Sequence, residues 1–159
     1  MREIIVGLDG SAASIRALRW ALQQAQLFEG ARVVAIHAYR LPEMRGGYAY
    51  TESYLPAGAL ERRTEQEHAL RAEEETRVHE WAERLIAEAV DAEGGKPEGT
   101  VIEVAVVPSD PARTLLERSE GADLLVVGSR GLGGFQGLLV GSVSQKCLHH
   151  AHCPVVVIR

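Results

Sequence analysis

A stretch rich in glycine and serine, from Gly128 to Ser144, contains residue types that could bind an anionic ligand. It directly follows the apolar run Leu124–Val127, which is short, partly β-branched and preceded by Asp123, and is therefore predicted to be a buried strand. A short helix is predicted to begin at Ser142. A strand, a glycine-rich loop and a serine at a helix start together present backbone N–H groups, so the stretch is predicted to bind phosphate.

The spacing within this stretch is G-x2-G-x9-G-S, formed by Gly128, Gly131, Gly141 and Ser142. It is not a Walker A loop, because no lysine precedes a serine or threonine, and it is not G-x-G-x-x-G, because Gln136 replaces the third glycine. A glycine-rich surface loop made of turn residues is the alternative interpretation. The position directly after a buried strand favours the phosphate site.

Composition limits the class of protein. The chain has 159 residues, with 46% hydrophobic and 25% charged residues, as expected for one soluble globular domain over residues 1–159. A net charge of −5 argues against nucleic-acid binding. No apolar run is long enough to span a membrane, the start does not resemble a signal peptide, and two cysteines make no disulfide framework. We therefore expect a cytoplasmic protein that binds neither membranes nor nucleic acid.

Five apolar runs predict strands, and helical periodicity between them gives the order βαβαβαβαβ. The runs are nearly continuous rather than alternating, which is typical of strands covered on both faces. The predicted fold is α/β, a five-stranded parallel sheet flanked by helices on both faces. The four other strands are Ile4–Leu8, Val33–Ala38, Val101–Val107 and Pro154–Ile158.

The helix boundaries are predicted from capping residues. Ser11 or Ser14 caps the first helix and Gly30 ends it. A long helix covers residues 61–92, and a third helix begins at Pro111 after an aspartate or serine cap. Between the second strand and the long helix, residues 40–60 contain prolines, glycines and tyrosines. This excursion is interpreted either as a lid or partner contact, or as a poorly ordered segment.

Two candidate ligand-binding positions lie just past the ends of predicted strands. Asp9 follows the first strand and Gly128 follows the fourth. Ligands of open α/β sheets bind outside the carboxyl ends of the strands, at a topological switch point. If these two strands are neighbours, Asp9 can accept hydrogen bonds from ribose hydroxyls while the glycine loop binds the phosphates.

Other constellations predict less chemistry. The segment from Cys147 to Cys153 contains three histidines, but its spacing favours a helix end over a zinc site. His37, near a strand end, is interpreted as a core or rim histidine rather than a catalytic one. No Ser-His-Asp set can be assembled, and no catalytic residue is predicted.

Several motifs together resemble the universal stress protein family, and in particular its ATP-binding branch. They are Val6-Gly-Leu-Asp9-Gly-Ser, the strand end His37-Ala38, Pro108-Ser-Asp-Pro111, Val127-Gly-Ser-Arg-Gly131, Gly141-Ser-Val-Ser144 and Cys153-Pro-Val-Val-Val. The resemblance covers the chain apart from residues 40–60. It implies a Rossmann-like fold, similar to the adenine nucleotide alpha hydrolases, with strand order 3-2-1-4-5.

The resemblance also implies a ligand and residues that bind it. The ligand is ATP, with Mg²⁺ or Mn²⁺ held through its phosphates. Asp9 corresponds to the acid that contacts ribose, and Ala38 to the strand end that faces adenine. Arg130 either reaches a phosphate or points to solvent. The phosphate-binding positions are Gly128, Gly131, Gly141 and Ser142, with Val143 and Ser144 flanking them.

The implied function is that of a nucleotide-dependent regulatory module of the stress response. It would form a homodimer through the last strand, Pro154 to Ile158, and act on an unknown protein partner. Three alternatives remain. They are a slow ATPase or a protein that autophosphorylates at Ser142 or Ser144, a sensor of AMP or cyclic AMP, and a structural dimer with an empty site.

Overall fold

The computed structural model describes residues 2–39, 59–132 and 139–159, with side chains described from residue 68 onward in the second range. Within these residues five parallel strands form one sheet of order β3-β2-β1-β4-β5. This is the predicted topology, and the predicted strand positions agree to within one residue at every end. The strands are β1 (Glu3–Gly7), β2 (Arg32–Tyr39), β3 (Val101–Pro108), β4 (Leu124–Gly128) and β5 (Val155–Ile158).

Helices cover the sheet on its two faces. The helices are α1 (Ala12–Ala25), α2 (Ala59–Ala92), α3 (Pro111–Ser119) and α4 (Ser142–His150). One hydrophobic cluster joins α1 and α2 to one face, and a second joins α3 and α4 to the other. None of the described helices is long and apolar enough to cross a membrane.

β1 is the central strand of the sheet and lies between β2 and β4. Helices cover both of its faces. Ile4 and Val6 belong to the cluster under α1, whereas Ile5 belongs to the cluster under α3, and all three side chains are at most 1% exposed. Alternate side chains of a strand point to opposite faces, so a strand covered on both faces needs an uninterrupted apolar run. The continuous pattern used to predict the strand has this cause.

Capping residues set two of the helix starts. Ser11 caps α1, its hydroxyl accepting the N–H of Ser14 at 3.2 Å, and Asp110 caps α3 with Pro111 as the first helical residue. The prediction that Gly30 ends α1 is wrong, because the helix ends at Ala25. Residues 26–30 are all exposed, so beyond Ala25 a helix would bury no apolar face.

Two sequence predictions lie wholly or partly outside the described residues. Most of the 40–60 excursion is among them, and its interpretation as a lid or partner contact stays a prediction. Only its last two residues are described, as the start of α2. The middle of the glycine-rich stretch, residues 133–138, also lies outside the described part.

Candidate functional site

A cavity of about 370 Å³ opens at the carboxyl edge of the sheet, where β1 ends between β2 and β4. The chain leaves β1 toward one neighbour and reaches the other only later, so this is the topological switch point at which α/β sheets bind ligands. The lining residues come from the ends of β1, β2 and β4, the starts of α1, α3 and α4, and the loop after β4. They are Gly7, Leu8, Asp9, Ser14, Ile36, His37, Ala38, Pro111, Leu115, Val127, Gly128, Arg130, Gly131, Leu132, Gly141, Ser142, Val143 and Ser144.

All nine residues predicted from the sequence to bind nucleotide line this one cavity. They come from parts of the chain that are more than 100 positions apart, and the sheet brings them together. Their role in binding a ligand stays a prediction. The nine are Asp9, Ala38, Gly128, Arg130, Gly131, Gly141, Ser142, Val143 and Ser144.

The Asp9 carboxylate connects the turn after β1 to the loop after β4. Its Oδ1 accepts the N–H of Ser11 at 2.9 Å, and its Oδ2 accepts the N–H of Leu132 at 3.2 Å. A carboxylate offers about four lone-pair positions, so acceptor capacity remains for a ligand. Asp9 is the only carboxylate among the described residues that line the cavity.

Two glycines of the site lie where a side chain has no room. A Cβ at Gly131 would overlap Asp9 Oδ2, and a Cβ at Gly128 would lie 2.8 Å from the Ser14 nitrogen and the carbonyl carbon of Ala13. The loop after β4 therefore passes directly over Asp9, and the end of β4 abuts the start of α1. These close approaches explain why the pattern requires glycine at both positions.

The N-terminus of α4 faces the cavity without a capping side chain. Its N-cap residue is Gly141, which cannot supply one, whereas α1 and α3 are capped by Ser11 and Asp110. Ser142, the first helical residue, is exposed. Uncapped N–H groups and the positive end of the helix dipole together favour an anion at this position.

Ser144 has an internal partner that the sequence did not indicate. Its side chain is 5% exposed, and its hydroxyl donates to the Gly128 carbonyl at 2.6 Å. The Gly141 N–H donates to the Ser129 carbonyl at 2.7 Å, so α4 is fastened to the end of β4 at two points. Ser144 thus holds the helix in place beside the cavity.

One wall of the cavity is apolar. Ile36 and Ala38 contribute from the end of β2, Pro111 and Leu115 from α3, and Val143 from α4. Of these, sequence reasoning selected only Ala38 and Val143 for the site. Pro111 carried a usable signal, since it follows β3 and must therefore begin its helix at the same edge of the sheet.

Arg130 lines the cavity with an exposed side chain. Its backbone is fixed, because its carbonyl accepts the Ser11 hydroxyl at 3.1 Å. No ion pair joins its guanidinium to any residue in the described part of the chain. A role in phosphate binding stays a prediction.

His37 is half-buried and its ring has partners. Nδ1 lies 2.8 Å from the Leu8 carbonyl, and since a carbonyl only accepts, Nδ1 carries the hydrogen and donates. The ring meets Trp81 edge-on, with centroids 4.6 Å apart, and stacks with Tyr39 at 5.9 Å. This agrees with the interpretation of His37 as a rim histidine.

The cysteine- and histidine-containing segment near the C-terminus packs against the sheet. Cys147 is fully buried in the cluster under α4, and burial raises the pKa of its thiol to about 11. Cys153 is half-buried, and both are free thiols. Within residues 2–39, 68–132 and 139–159, no three histidine, cysteine or acidic side chains converge to hold a metal ion.

The fold resembles solved structures of universal stress proteins. One is a universal stress protein in complex with cAMP, at 24% identity and TM-score 0.56, covering 99% of this chain and 96% of that one. Another is the protein from Archaeoglobus fulgidus with dAMP, at 20% identity and TM-score 0.55, covering 100% and 98%. A third is an Arabidopsis thaliana family protein with AMP bound, at 20% identity and TM-score 0.54, covering 99% and 91%.

Curated relatives are similar in sequence as well. Universal stress protein Rv2623 of Mycobacterium tuberculosis is 36% identical over 156 residues, which are 98% of this chain and 47% of the relative. A universal stress protein of Thermus aquaticus is 34% identical over 161 residues, which are 99% and 98% of the two chains. The chain thus spans about half the length of the mycobacterial relative. The sequence model of the Universal stress protein family matches residues 1–159. The chain therefore belongs to the universal stress protein family.

Proposed function

We propose that this chain binds ATP in the cavity between β1 and β4 and acts as a nucleotide-dependent regulatory module of the stress response. The observation that carries the proposal is the convergence of all nine predicted residues on one cavity at the switch point. Its volume of about 370 Å³ falls in the range of small-molecule sites, ~300–1,000 Å³.

The two walls of the cavity suit the two ends of a nucleotide. The apolar wall, which includes Ile36, Ala38, Pro111 and Leu115, offers apolar contacts for a purine ring. Asp9 lies against the glycine loop, where a Cβ at Gly131 would overlap its Oδ2, and it has lone pairs remaining for ribose hydroxyls. Three universal stress protein structures of the same fold hold cAMP, dAMP or AMP, which supports an adenine nucleotide as the ligand class.

The phosphates would lie beside the glycine loop and the start of α4. The uncapped N-terminus of α4, the exposed Ser142 hydroxyl and the backbone of the glycine loop provide donors there. Mg²⁺ or Mn²⁺ would be held mainly by phosphate oxygens and water, because Asp9 is the only described carboxylate at the cavity and is assigned to the ribose.

We place regulation ahead of catalysis because the described lining contains no set of groups that would activate a nucleophile. Its single histidine donates Nδ1 to Leu8, and its single carboxylate is bound to backbone N–H groups. Autophosphorylation remains the enzymatic alternative. It would use Ser142, which is exposed, rather than Ser144, which is buried and donates to Gly128.

A sensor of AMP or cyclic AMP is the second candidate function. The specific observation in its favour is that the three related structures hold monophosphates. The uncapped helix end accommodates one phosphate as readily as three, since the first turn of the helix supplies the N–H groups.

We also propose that two chains pair through β5. This strand pairs only with β4, all four of its residues are half-buried, and its other edge has no partner in the described part of the chain. An unpaired, valine-rich edge favours strand addition. Light scattering should give twice the mass of one chain, and Val156→Glu should give a monomer. Circular dichroism of the variant checks that it is folded, because Val156 also packs against the cluster under α1.

Calorimetric titration of nucleotide-stripped protein with ATP, ADP, AMP and cyclic AMP in Mg²⁺ tests the ligand. Asp9→Ala should lower affinity about 10- to 100-fold, because charge-assisted hydrogen bonds are lost. The matched control is Asp91→Ala, at an exposed position of α2. Gly131→Ala should lower affinity more than Gly141→Ala, because a Cβ at Gly141 meets neighbours only at 3.5 Å or beyond.

Each outcome of the titration supports one of the candidate functions. Tight ATP binding without ADP formation would support the regulatory module. ADP formation with transfer of the phosphoryl group to the protein, abolished by Ser142→Ala, would support autophosphorylation, and ADP formation with release of inorganic phosphate would support a slow ATPase. Monophosphates that outcompete ATP would support the sensor. Absence of binding to all four nucleotides would overturn the proposal and leave the structural dimer.

A further inference from the structure

The peptide group between Leu8 and Asp9 is held at both ends by side chains. Its carbonyl oxygen accepts His37 Nδ1–H at 2.8 Å, and its N–H donates to Ser14 Oγ at 3.3 Å. A peptide group is planar, so two hydrogen bonds on its opposite sides fix the orientation of the whole plane. The Asp9 Cα belongs to that plane, so the two bonds fix the point from which its side chain extends.

Strand pairing does not supply these two bonds. β1 ends at Gly7, and the last ladder-like bond is from the Leu8 N–H to the Ile36 carbonyl at 2.8 Å. The Leu8 carbonyl lies beyond the ladder and needs a partner from elsewhere. His37 provides that partner from the end of the neighbouring strand.

His37 is itself among the residues that line the cavity, and its ring turns to the face of the sheet opposite the apolar wall. Its neighbours Ile36 and Ala38 line that wall, and alternation along the strand turns the His37 side chain to the other face. There the ring meets Trp81, which belongs to the cluster under α1 and α2. Trp81 also contacts the turn itself, since a Cβ at Gly10 would lie 2.6 Å from its Cζ2.

We propose that His37 is a positioning residue of the nucleotide site, which acts through the Leu8–Asp9 peptide to hold the Asp9 carboxylate toward the ribose. Trp81 backs the ring and the turn and so limits their movement. The inference rests on the proposed function, because it assigns Asp9 to the ribose hydroxyls. It extends that function by making the ribose contact depend on a side chain behind the sheet.

The test compares affinities for ATP and for 2′,3′-dideoxy-ATP, which lacks the hydroxyls that Asp9 would accept. His37→Leu should lower ATP affinity about tenfold and leave the affinity for the analogue unchanged, since one positioned, charge-assisted hydrogen bond is lost. His37→Asn, whose amide nitrogen can occupy the place of Nδ1, should keep ATP affinity within about twofold. His79→Leu is the matched control, because His79 is exposed on α2 and pairs only with Glu83 within the described residues.

Ser14→Ala keeps the inference testable if His37→Leu does not fold. It removes the bond at the other end of the same peptide, suits a helix, and should produce the same selective loss for ATP. An equal loss for both nucleotides, or no loss, would overturn the positioning role while nucleotide binding stands. If the wild-type protein binds ATP and the dideoxy analogue equally well, Asp9 does not contact the ribose hydroxyls, and this inference is overturned as well. A wild-type protein that binds neither would overturn the proposed function as well.

Discussion

The glycines at the two edges of the sheet serve different purposes. Before β2, β3 and β4, at the amino edge, Gly30, Gly99 and Gly121 have φ between 71° and 80°, and a Cβ there would meet nothing within 4 Å. At the carboxyl edge, a Cβ at Gly128 or Gly131 would collide with backbone or with Asp9. These three glycines of the amino edge are needed for their torsion angles, whereas Gly128 and Gly131 at the carboxyl edge are needed for space.

Asp123 and Asp9 show the same contrast between the two edges of the sheet. Asp123, at the amino edge, accepts the N–H groups of Arg2 and Glu3 at 2.6 and 2.9 Å, and these bonds lower the pKa of its carboxyl. Asp9, at the carboxyl edge, also accepts two N–H groups, but it lines the cavity. Identical local chemistry fastens two strands at one edge and forms a candidate binding site at the other. The surrounding loops make the difference.

The largest expected effect is a loss of stability at Gly10, which has both a positive φ and no room for a Cβ. Gly10→Ala combines a positive φ of 82° with a clash against Trp81, and should lower the free energy of unfolding by about 3 kcal/mol. Gly99→Ala has the torsion cost without the clash, and should lower it by about 1 kcal/mol. Urea denaturation of both variants measures the difference. If the two variants lost equal stability, lack of space at Gly10 would add nothing to the cost of the torsion angle.

A smaller effect is expected from Asp123→Asn, and it should depend on pH. Because the folded pKa of Asp123 is lowered, its charged form stabilises the fold fully above the ordinary value of 3.8, and this stabilisation disappears as pH falls through the folded pKa. The variant should therefore be less stable than wild type at pH 7 and equally stable at pH well below 3.8. Thermal melts from pH 7 to pH 2 test this.

The same variant tests whether Asp123, unlike Asp9, is independent of nucleotide binding. Asp123 lies at the edge away from the cavity, so Asp123→Asn should leave nucleotide affinity unchanged while Asp9→Ala lowers it. Loss of binding in Asp123→Asn without loss of structure would mean that the two edges are coupled.

The smallest expected effect concerns Arg130. Its exposed side chain would contact phosphate through solvent-screened charge, so Arg130→Ala should weaken ATP binding about threefold at low ionic strength. The difference should shrink in 0.5 M salt, where the Debye length is about 4 Å, compared with about 30 Å at 0.01 M. Titration at two salt concentrations measures it, and unchanged affinity at low salt would show that the guanidinium points to solvent.

Much of the site could be predicted because its residues carry local signals. Gly128, Gly131, Gly141 and Ser142 follow a buried strand at a recognisable spacing, and Asp9 follows another. Ile36, Leu115 and Ser14 could not be selected, because their patterns are those of ordinary core and capping residues. His37 was interpreted from its position as a core or rim histidine, but its hydrogen bond to Leu8 joins the end of β2 to the turn after β1 and has no signature in either segment.

The sequence by itself determined the five strands, the capped helix starts and the glycine pattern, since each depends on hydrophobic periodicity or on residues close along the chain. It also determined the family, because several motifs occur in order. Only the tertiary structure decided that Asp9 faces Gly131, that α3 supplies an apolar wall and that His37 supports the Asp9 turn from the far side of the sheet. These contacts join residues up to 123 positions apart, as between Asp9 and Leu132. They arise from the pairing of β1 with both β2 and β4, which no local pattern contains.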